Sequence, residues 1–322
     1  MQAIRVHEFG GTDRLRLETV PDPVAGAGEV VVRVHAAGVN PVDTYIRAGS
    51  YGARSMPYTP GADAAGVIES VGANALDLEP GDRVYVASPL SGTYAEKVLV
   101  KTENVFRLPG NLSFEQGAGI HIPYATAHRA LFDKASVKDG ETVLIHGASG
   151  SVGLAAVQLA FAGRVKNLTV IGTAGTEEGM RLVRESGAQF AVSHRDPDYV
   201  AQIMAHTNGR GADVILEMLA NVNLDKDLDM IAPFGRIVVI GNRGEVTINL
   251  RKAMSKDAAI IGMTLFNVPP KEIGFIHASL YTGLVNEELR PLAGSSFPLA
   301  EAARAQEEVL KDGVYGKVTL IP

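Results

Sequence analysis

From Met1 to about Leu108, apolar residues come in short β-branched runs broken by Gly, Pro, Asn and Asp. Glu29–His35, Ala65–Val71, Asp82–Ala87 and Tyr94–Val100 are each bounded by turn residues, the pattern of strands in a partly closed β-barrel. At Ser113 the period changes. Ser113 and Gln116 have capping-box spacing, and apolar residues then recur at helical intervals to Leu131. Beyond that point strands at Thr142–His146, Leu168–Ile171, Phe190–Val192, Asp213–Glu217 and Arg236–Ile240 alternate with helices, at Val152–Phe161, Glu177–Ser186 and after Pro197. Such alternation predicts a parallel sheet covered on both faces. After Ile260 it gives way to helical stretches near Pro270–Leu284 and Leu299–Leu310 and a closing strand, Gly316–Ile321, expected to rejoin the barrel. The expected class is α/β, with a barrel domain over 1–124 to which 266–322 return and a nucleotide domain over 125–265.

Composition narrows the chemistry. A chain of 322 residues that is 46% hydrophobic can bury two cores. It has no Cys, which removes disulfides, thiolate catalysis and cysteine-ligated metal sites. The net charge of -6, with no basic run to offset it, argues against nucleic acid as a partner. No stretch approaches the ~20 apolar residues that span a bilayer, and Met1–Gly10 lacks a signal-peptide core, so a cytoplasmic protein without a membrane partner is expected.

The most specific feature is TVLIHGASGSVGLAAVQLA, Thr142–Ala160: a strand, three glycines (Gly147, Gly150, Gly153) and a small-residue helix. Glycines here allow a tight turn and close backbone approach to a pyrophosphate, which the helix N-terminus then receives. A nucleophile elbow would need Gly where Ser151 stands. NAD sites place an acidic residue about 20 positions past the glycines, at the end of the second strand. Val170–Thr176 offers none there. Thr173 and Thr176 can donate hydrogen bonds, and Arg181, His194 or Arg195 can supply positive charge for a 2′-phosphate. NADPH is the expected cofactor; the competing reading lets Glu177 or Glu178 bend back onto the ribose.

The glycine motif and the order of domains resemble the medium-chain dehydrogenase/reductase superfamily. GVNPVDTYIRAG (Gly38–Gly49), YTPGADAAGVIESVG (Tyr58–Gly72), HGASGSVG (His146–Gly153), GTAGTEEG (Gly172–Gly179) and EMLANVNL (Glu217–Leu224) are similar to segments of its zeta-crystallin branch, the NADPH:quinone oxidoreductases. The resemblance spans the chain and implies a GroES-like barrel beside a doubly wound Rossmann domain. In the superfamily's zinc alcohol dehydrogenases a ligand Cys aligns near Asn40 and a Gly-His-Glu motif near Gly61-Ala62-Asp63, so the resemblance implies no metal here. Ser151 departs from the branch, where Gly is frequent, and adds a side chain to the cradle; Phe161 departs where Lys, Arg or Ser is common.

The resemblance also assigns site residues. Tyr45 is placed near the nicotinamide ribose and phosphates; Ser149, Gly150, Ser151, Val152 and Gly153 at the pyrophosphate; Thr173, Gly175 and His194 at the adenosine 2′-phosphate. Asn223, the run Ile240, Gly241, Asn242 and Arg243, and the run Met263, Thr264 and Leu265 are to wall the nicotinamide half. Asn40 and Tyr45, read as lying in a loop, are the catalytic candidates, orienting or polarising an acceptor carbonyl, against an Asx-turn and a packing aromatic as structural readings. Arg47 and Tyr51 are to complete the mouth. Lys317 reads either as reaching an adenosine phosphate or as solvated tail charge. His146 is expected at a strand end, and His121 and His128 as core or helix-surface groups. The expected reaction is reduction of an ortho-quinone or related conjugated carbonyl at the domain cleft. The alternatives are reduction of a 2-alkenal double bond and a crystallin-like structural or RNA-binding role. A homo-oligomer, dimer or tetramer, is implied by relatives, with Ala258–Leu265 as candidate contact or internal strand.

Overall fold

Alternate β-branched residues make Glu29–Gly38 the strand around which the first half of the chain is organised. In this computed structural model, which describes every residue except Leu76 and Gly163 and the side chain of Pro270, Val30, Val32 and Val34 point into a core shared with Ile68, Val84, Val86, Tyr94, Val98 and Leu320. Arg33 and His35, between them, face solvent. The N-terminal elements are β1 (Gln2–Arg5), β2 (Arg16–Thr19), β3 (Glu29–Gly38), α1 (Pro41–Arg47), β4 (Asp63–Val71), β5 (Arg83–Val86), β6 (Lys97–Lys101), β7 (Val105–Arg107) and α2 (Phe114–Gly117). β3 pairs antiparallel with β4, and with β6 through Glu29–Arg33. Register shifts at Val31/Val32 and Val34/Ala36 bend the β3–β4 pair, the device that curls a sheet toward a barrel. Ser113 caps α2, accepting from the Gln116 N–H while Gln116 Oε1 accepts from the Ser113 N–H.

The helical run that follows is wound wide. α3 (Thr126–His128) lies between π-helical stretches at His121–Ala125 and Arg129–Lys134. Pro123 supplies no N–H within the first of these. Then come β8 (Thr142–Ile145), α4 (Ser151–Phe161), β9 (Thr169–Ala174), α5 (Glu177–Glu185), β10 (Phe190–Ser193), α6 (Tyr199–His206), β11 (Ala212–Glu217), α7 (Ala220–Met230), β12 (Ile231–Val239), α8 (Leu250–Met254) and β13 (Ala259–Gly262). The six strands are parallel in the order β10-β9-β8-β11-β12-β13. Counted from the first strand of this sheet that order is 3-2-1-4-5-6, the doubly wound dinucleotide-binding arrangement. Leu144, Ile171, Ile203, Ile215, Leu228 and Ile237 fill part of its core.

The chain closes with α9 (Pro270–Val285), β14 (Ala293–Pro298), α10 (Ala302–Glu308) and β15 (Lys317–Ile321). β15 pairs antiparallel with Ala37 and Gly38 of β3, and β14 adds to β15 in parallel. Two compact units result: Met1–Ile122 with Ile273–Val285 and Arg290–Pro322, and Pro123–Glu272 with Asn286–Leu289. Among the described residues no helix is long and apolar enough to cross a membrane.

Three local expectations are corrected. Asn40 and Tyr45 are not in a loop: Asn40 is the extended N-cap of α1, Pro41 takes the first helical position, and Tyr45 lies within the helix. Arg47 is buried, donating to Gln306 Oε1 at 2.7 Å and to the Gly10 carbonyl, so it ties α1 to α10 and the N-terminal segment instead of lining a mouth. Lys317 is neither tail charge nor solvated; it is 1% exposed.

The β3–β4 pairing sets the barrel and depends on Gly66, where an added Cβ would lie 1.9 Å from the Arg33 carbonyl oxygen. Backbone cannot yield as a side-chain tip can. Gly66→Ala is expected to cost about 1–3 kcal/mol, the range for overpacking a filled site, read as a lower urea midpoint. An unchanged midpoint would mean the pair has slack that the register denies.

Candidate functional site

The glycine loop is built by exclusion. Gly147 follows β8 with φ +55°, a left-handed turn that turns the chain across the strand end. An added Cβ at Gly153 would lie 2.5 Å from both Ala148 Cα and the Gly147 carbonyl oxygen, so only glycine lets α4 settle this close to the loop. Gly150 caps the helix in an extended conformation, and Ser151, Val152 and Gly153 form its first turn, where backbone N–H groups have no intrahelical acceptor. Ser151 needs no special backbone there, so its side chain is accommodated as an ordinary first helical residue. These donors and the dipole end suit a pyrophosphate.

Beneath the loop lies a buried polar cluster. Thr173 accepts from the Gly147 N–H at 3.3 Å and meets His146 Nδ1 at 3.3 Å; His146 Nε2 in turn donates to Asp227 Oδ1 at 2.8 Å. The Thr173 hydroxyl is therefore spent on holding the loop from below. Glu217 Oε1 accepts from the Leu219 N–H and from Asn223 Nδ2 at 3.2 Å. Glu217 Oε2 and Asp227 Oδ2 are buried without a hydrogen-bond partner. Burial pushes Glu217 up to about 7 and Asp227 up to about 7, and it pushes His146 down. A proton held by Glu217 and accepted by Asp227 satisfies both orphaned oxygens, with His146 neutral.

Around this centre the expected cofactor residues collect at the carboxyl ends of the parallel strands. Gly175 follows β9 and His194 follows β10. An added Cβ at Gly175 would lie 2.9 Å from His194 Nε2 and 3.2 Å from Arg195 Nε, so any larger residue would crowd both side chains, and glycine lets them stand against the end of β9. Arg195, one of the three cations the sequence offered for a 2′-phosphate, stands beside His194 at this strand end. Arg181 does not belong, being paired with Glu178 and Glu185 at 2.5 Å each. That pairing also holds Glu178 away from a ribose, and Thr176 caps α5 by accepting from the Gly179 N–H at 3.0 Å. No carboxylate stands at the end of β9. On the other side of the sheet, the Ile240 N–H donates to the Glu217 carbonyl at 2.8 Å and the Ala220 N–H to the Gly241 carbonyl at 3.0 Å. The Arg243 N–H donates to Asn221 Oδ1, Asn242 bonds the Gly244 carbonyl, and the Met263 N–H donates to the Val239 carbonyl. Asn223, Ile240–Arg243 and Met263–Leu265 thus rim the ends of β11, β12 and β13. The glycine cradle, the carboxylate-free strand end and the two facing nitrogens fit a phosphorylated dinucleotide.

The barrel unit holds a second polar centre. Lys317 Nζ donates to Asp63 Oδ2 at 2.5 Å and to Asn40 Oδ1 at 2.6 Å, and Asn40 Nδ2 donates to the same Asp63 oxygen at 2.9 Å. Asp63 Oδ1 accepts from the Ile122 N–H at 2.8 Å. Asp43 Oδ2 accepts from the Asn40 N–H and from Tyr94 Oη, each at 2.9 Å, and burial pushes Asp43 up to about 6. His121 Nδ1 meets His277 Nε2 at 3.1 Å, and His277 Nδ1 meets Tyr85 Oη at 3.0 Å. Burial pushes His121 down to about 3. Asp63 and Asp43 lay inside recognisable motifs, but no sequence signal tied either one to Lys317.

Residues 26–110 match the alcohol dehydrogenase GroES-like domain family, and residues 151–277 match the zinc-binding dehydrogenase family. Human quinone oxidoreductase is 47% identical over 324 aligned residues, covering 100% of this chain and 98% of that protein. The chain belongs to the quinone oxidoreductase branch of the medium-chain dehydrogenase/reductase superfamily. The structure of Escherichia coli quinone oxidoreductase complexed with NADPH matches with a TM-score of 0.91 at 28% identity, covering 100% of both chains. An NAD-dependent alcohol dehydrogenase structure matches as well, with a TM-score of 0.92 at 28% identity and 100% of both chains covered. Members of this superfamily therefore share the architecture whichever acceptor or nicotinamide they take, and specificity has to be argued from residues.

The buried acids make stability depend on pH with a definite sign. A carboxyl whose folded value is raised binds more protons folded than unfolded, so its contribution is present below the unfolded value near 4.5 and is lost as pH rises through about 7. His146, held neutral, acts oppositely below its ordinary value, which is why the informative quantity is a difference between proteins. The stability of Glu217→Gln relative to wild type should rise by more than about 1 kcal/mol from pH 5 to pH 8, measured by urea unfolding. A constant difference across that range would show that Glu217 carries no such proton.

Proposed function

We propose that the chain is an NADPH-dependent quinone reductase acting on ortho-quinones or related conjugated carbonyls. The observation that carries the cofactor is the end of β9, which lacks the carboxylate of an NAD site and has His194 and Arg195 standing against Gly175. The acceptor class rests on the human relative, 47% identical over 98% of its length, which bears the name quinone oxidoreductase. NADPH, when bound, supplies the reducing equivalents. The chain's own groups do the rest: Ser149–Gly153 receive the pyrophosphate, Gly175, His194 and Arg195 the 2′-phosphate, and Asn223, Ile240–Arg243 and Met263–Leu265 the nicotinamide half. Thr173 holds the loop from beneath. Asn40 and Tyr45 orient the acceptor and donate hydrogen bonds to the oxygen on which negative charge develops.

A homo-oligomer is part of the same reading. β13 is the edge of the parallel sheet, its Ile260 is 38% exposed, and an uncovered apolar edge strand invites pairing with a second copy. A cytoplasmic location goes with it, where NADPH is the reductant at hand.

Two experiments test this. In His194→Ala the KM for NADPH should rise about tenfold, the loss of one charge-assisted bond, while NADH kinetics stay unchanged; equal effects on both cofactors would refute the 2′-phosphate assignment. Asn40→Ala and Tyr45→Ala should each lower kcat/KM for an ortho-quinone about 100-fold with NADPH affinity intact. Unchanged turnover in both would remove them from catalysis, and faster wild-type turnover of 2-alkenals than of ortho-quinones would move the chain to double-bond reduction.

A further inference from the structure

The Asn40 amide is gripped at both ends by charge. We propose that Lys317 is a positioning residue: its ammonium fixes the orientation of the Asn40 side chain so that an N–H, and not the carbonyl oxygen, is presented to the acceptor. This rests on the reading of Asn40 as the group that meets the acceptor.

An asparagine side chain has two faces of nearly equal shape and opposite polarity, one accepting and one donating. Left to itself it rotates to suit its neighbours. Lys317 removes the choice, because an ammonium has three donors and no acceptor, so the atom 2.6 Å from Nζ has to be Oδ1. Asp63 confirms the assignment from the other end, since a carboxylate can only accept, and Asn40 Nδ2 lies 2.9 Å from its Oδ2. One of the two Nδ2 protons is thereby engaged and the second remains to donate. A carbonyl taking up negative charge needs a donor; the rotated amide would offer it lone pairs and repel it. The same ammonium draws electron density from Oδ1, and in a low-dielectric interior this makes the remaining N–H a stronger donor.

The barrel is shaped to deliver this ammonium. Lys317 leaves β15 and runs past two glycines: a Cβ on Gly38 would stand 2.4 Å from Lys317 Cε, and one on Gly119 would stand 3.3 Å from Lys317 Cβ. At Gly38 the same Cβ would also meet the Ala118 carbonyl at 2.3 Å and Asp63 Cβ at 2.9 Å. A side chain at Gly38 and a lysine stem exclude each other. Asp63, with Oδ1 held by the Ile122 N–H, cannot swing away to follow a displaced partner.

The test removes the charge and keeps the bulk. Lys317→Met leaves Asp63 buried without its partner, so it is made together with Asp63→Asn, and folding is checked by thermal melting. The double variant should bind NADPH with a Kd within about twofold of wild type and keep its quinone KM, while kcat falls about 100-fold, the scale for loss of one transition-state donor. In an Asn40→Ala background the same pair should produce no further loss, because Lys317 acts through Asn40. Wild-type turnover in the double variant, or losses that multiply with Asn40→Ala, would each overturn the proposal. The Asn40 side-chain amide is also followed by NMR with selective 15N labelling. In wild type the Nδ2 proton bonded to Asp63 should be shifted downfield and protected from solvent exchange; in the double variant it should move to the position of an ordinary asparagine and exchange faster, and an unchanged shift and exchange rate would overturn the proposal independently of turnover. A wild-type enzyme that reduces no quinone would sink the functional reading, while the amide signals would still decide whether Lys317 sets the orientation.

Discussion

A charge taken out of water has to meet its opposite at hydrogen-bond distance or be neutralised, and both units of this chain are organised around a solution to that requirement. Transfer of an ion into the interior costs several kcal/mol even after relaxation. In the barrel the cost is offset by pairing: Lys317 and Asp63, each 1% exposed, stand 2.5 Å apart with Asn40 bridging them. In the nucleotide unit it is avoided by protonation, with Glu217 keeping a proton and His146 refusing one. The two solutions differ in consequence. The ion pair ties β15 to the barrel, while a shared proton couples the support of the glycine loop to pH through His146 and Thr173.

The pairing also determines how the barrel closes. Lys317 is separated from Asp63 by 254 positions and sits on the last strand, so the ion pair forms only when β15 has docked on β3. Loss of one partner would leave a bare buried charge, an effect on the order of 3–5 kcal/mol, comparable to a sizeable part of a domain's net stability. The pair thereby commits β15 to the barrel. In the parallel sheet the corresponding constraint is steric. Gly153 and Gly241 are glycines for close approach, with an added Cβ 2.5 Å from Ala148 Cα and 2.1 Å from the Met218 carbonyl respectively. Gly147, at φ +55°, is instead a glycine for its conformation.

What the sequence revealed followed from how local each feature is. The strand, glycine loop and helix of Thr142–Ala160 are consecutive, so steric and hydrogen-bond rules act on neighbours and can be read directly; α4 begins one residue before the expected Val152. The lack of a carboxylate at the end of β9 was legible for the same reason, since that strand end is a fixed distance from the loop. Elements lacking an apolar signature were missed. β14, Ala-Gly-Ser-Ser-Phe-Pro, is a strand because β15 offers it an edge, and α7 hides among Asn, Asp and Lys because it buries only one face, with Leu224, Asp227 and Leu228. α1 was read as a loop, whereas Asn40 is its N-cap and Pro41 takes the first helical position, where its missing N–H costs nothing. Lys317 was misread outright. Its environment is assembled from β3, β4 and the end of α2, and no window of sequence contains them together.

An architecture shared with alcohol dehydrogenases leaves the electrophile to be decided by side chains. Oxidation of an alcohol passes through an alkoxide and calls for a strong Lewis acid, for which the superfamily's zinc enzymes use thiolate and imidazole ligands. This chain has no Cys, and where those ligands would align it carries Asn40 and Ala62 followed by Asp63. Asp63 is already committed to an ammonium, so the group of charges there is balanced before any acceptor arrives. With Asn40 and Tyr45 in the roles proposed for them, such a site polarises a carbonyl through hydrogen bonds alone. A quinone, whose ring is electron-poor and gains aromaticity on reduction, needs less electrophilic help than an unactivated ketone. On that reading, residue identity at 40, 63 and 317 favours conjugated acceptors.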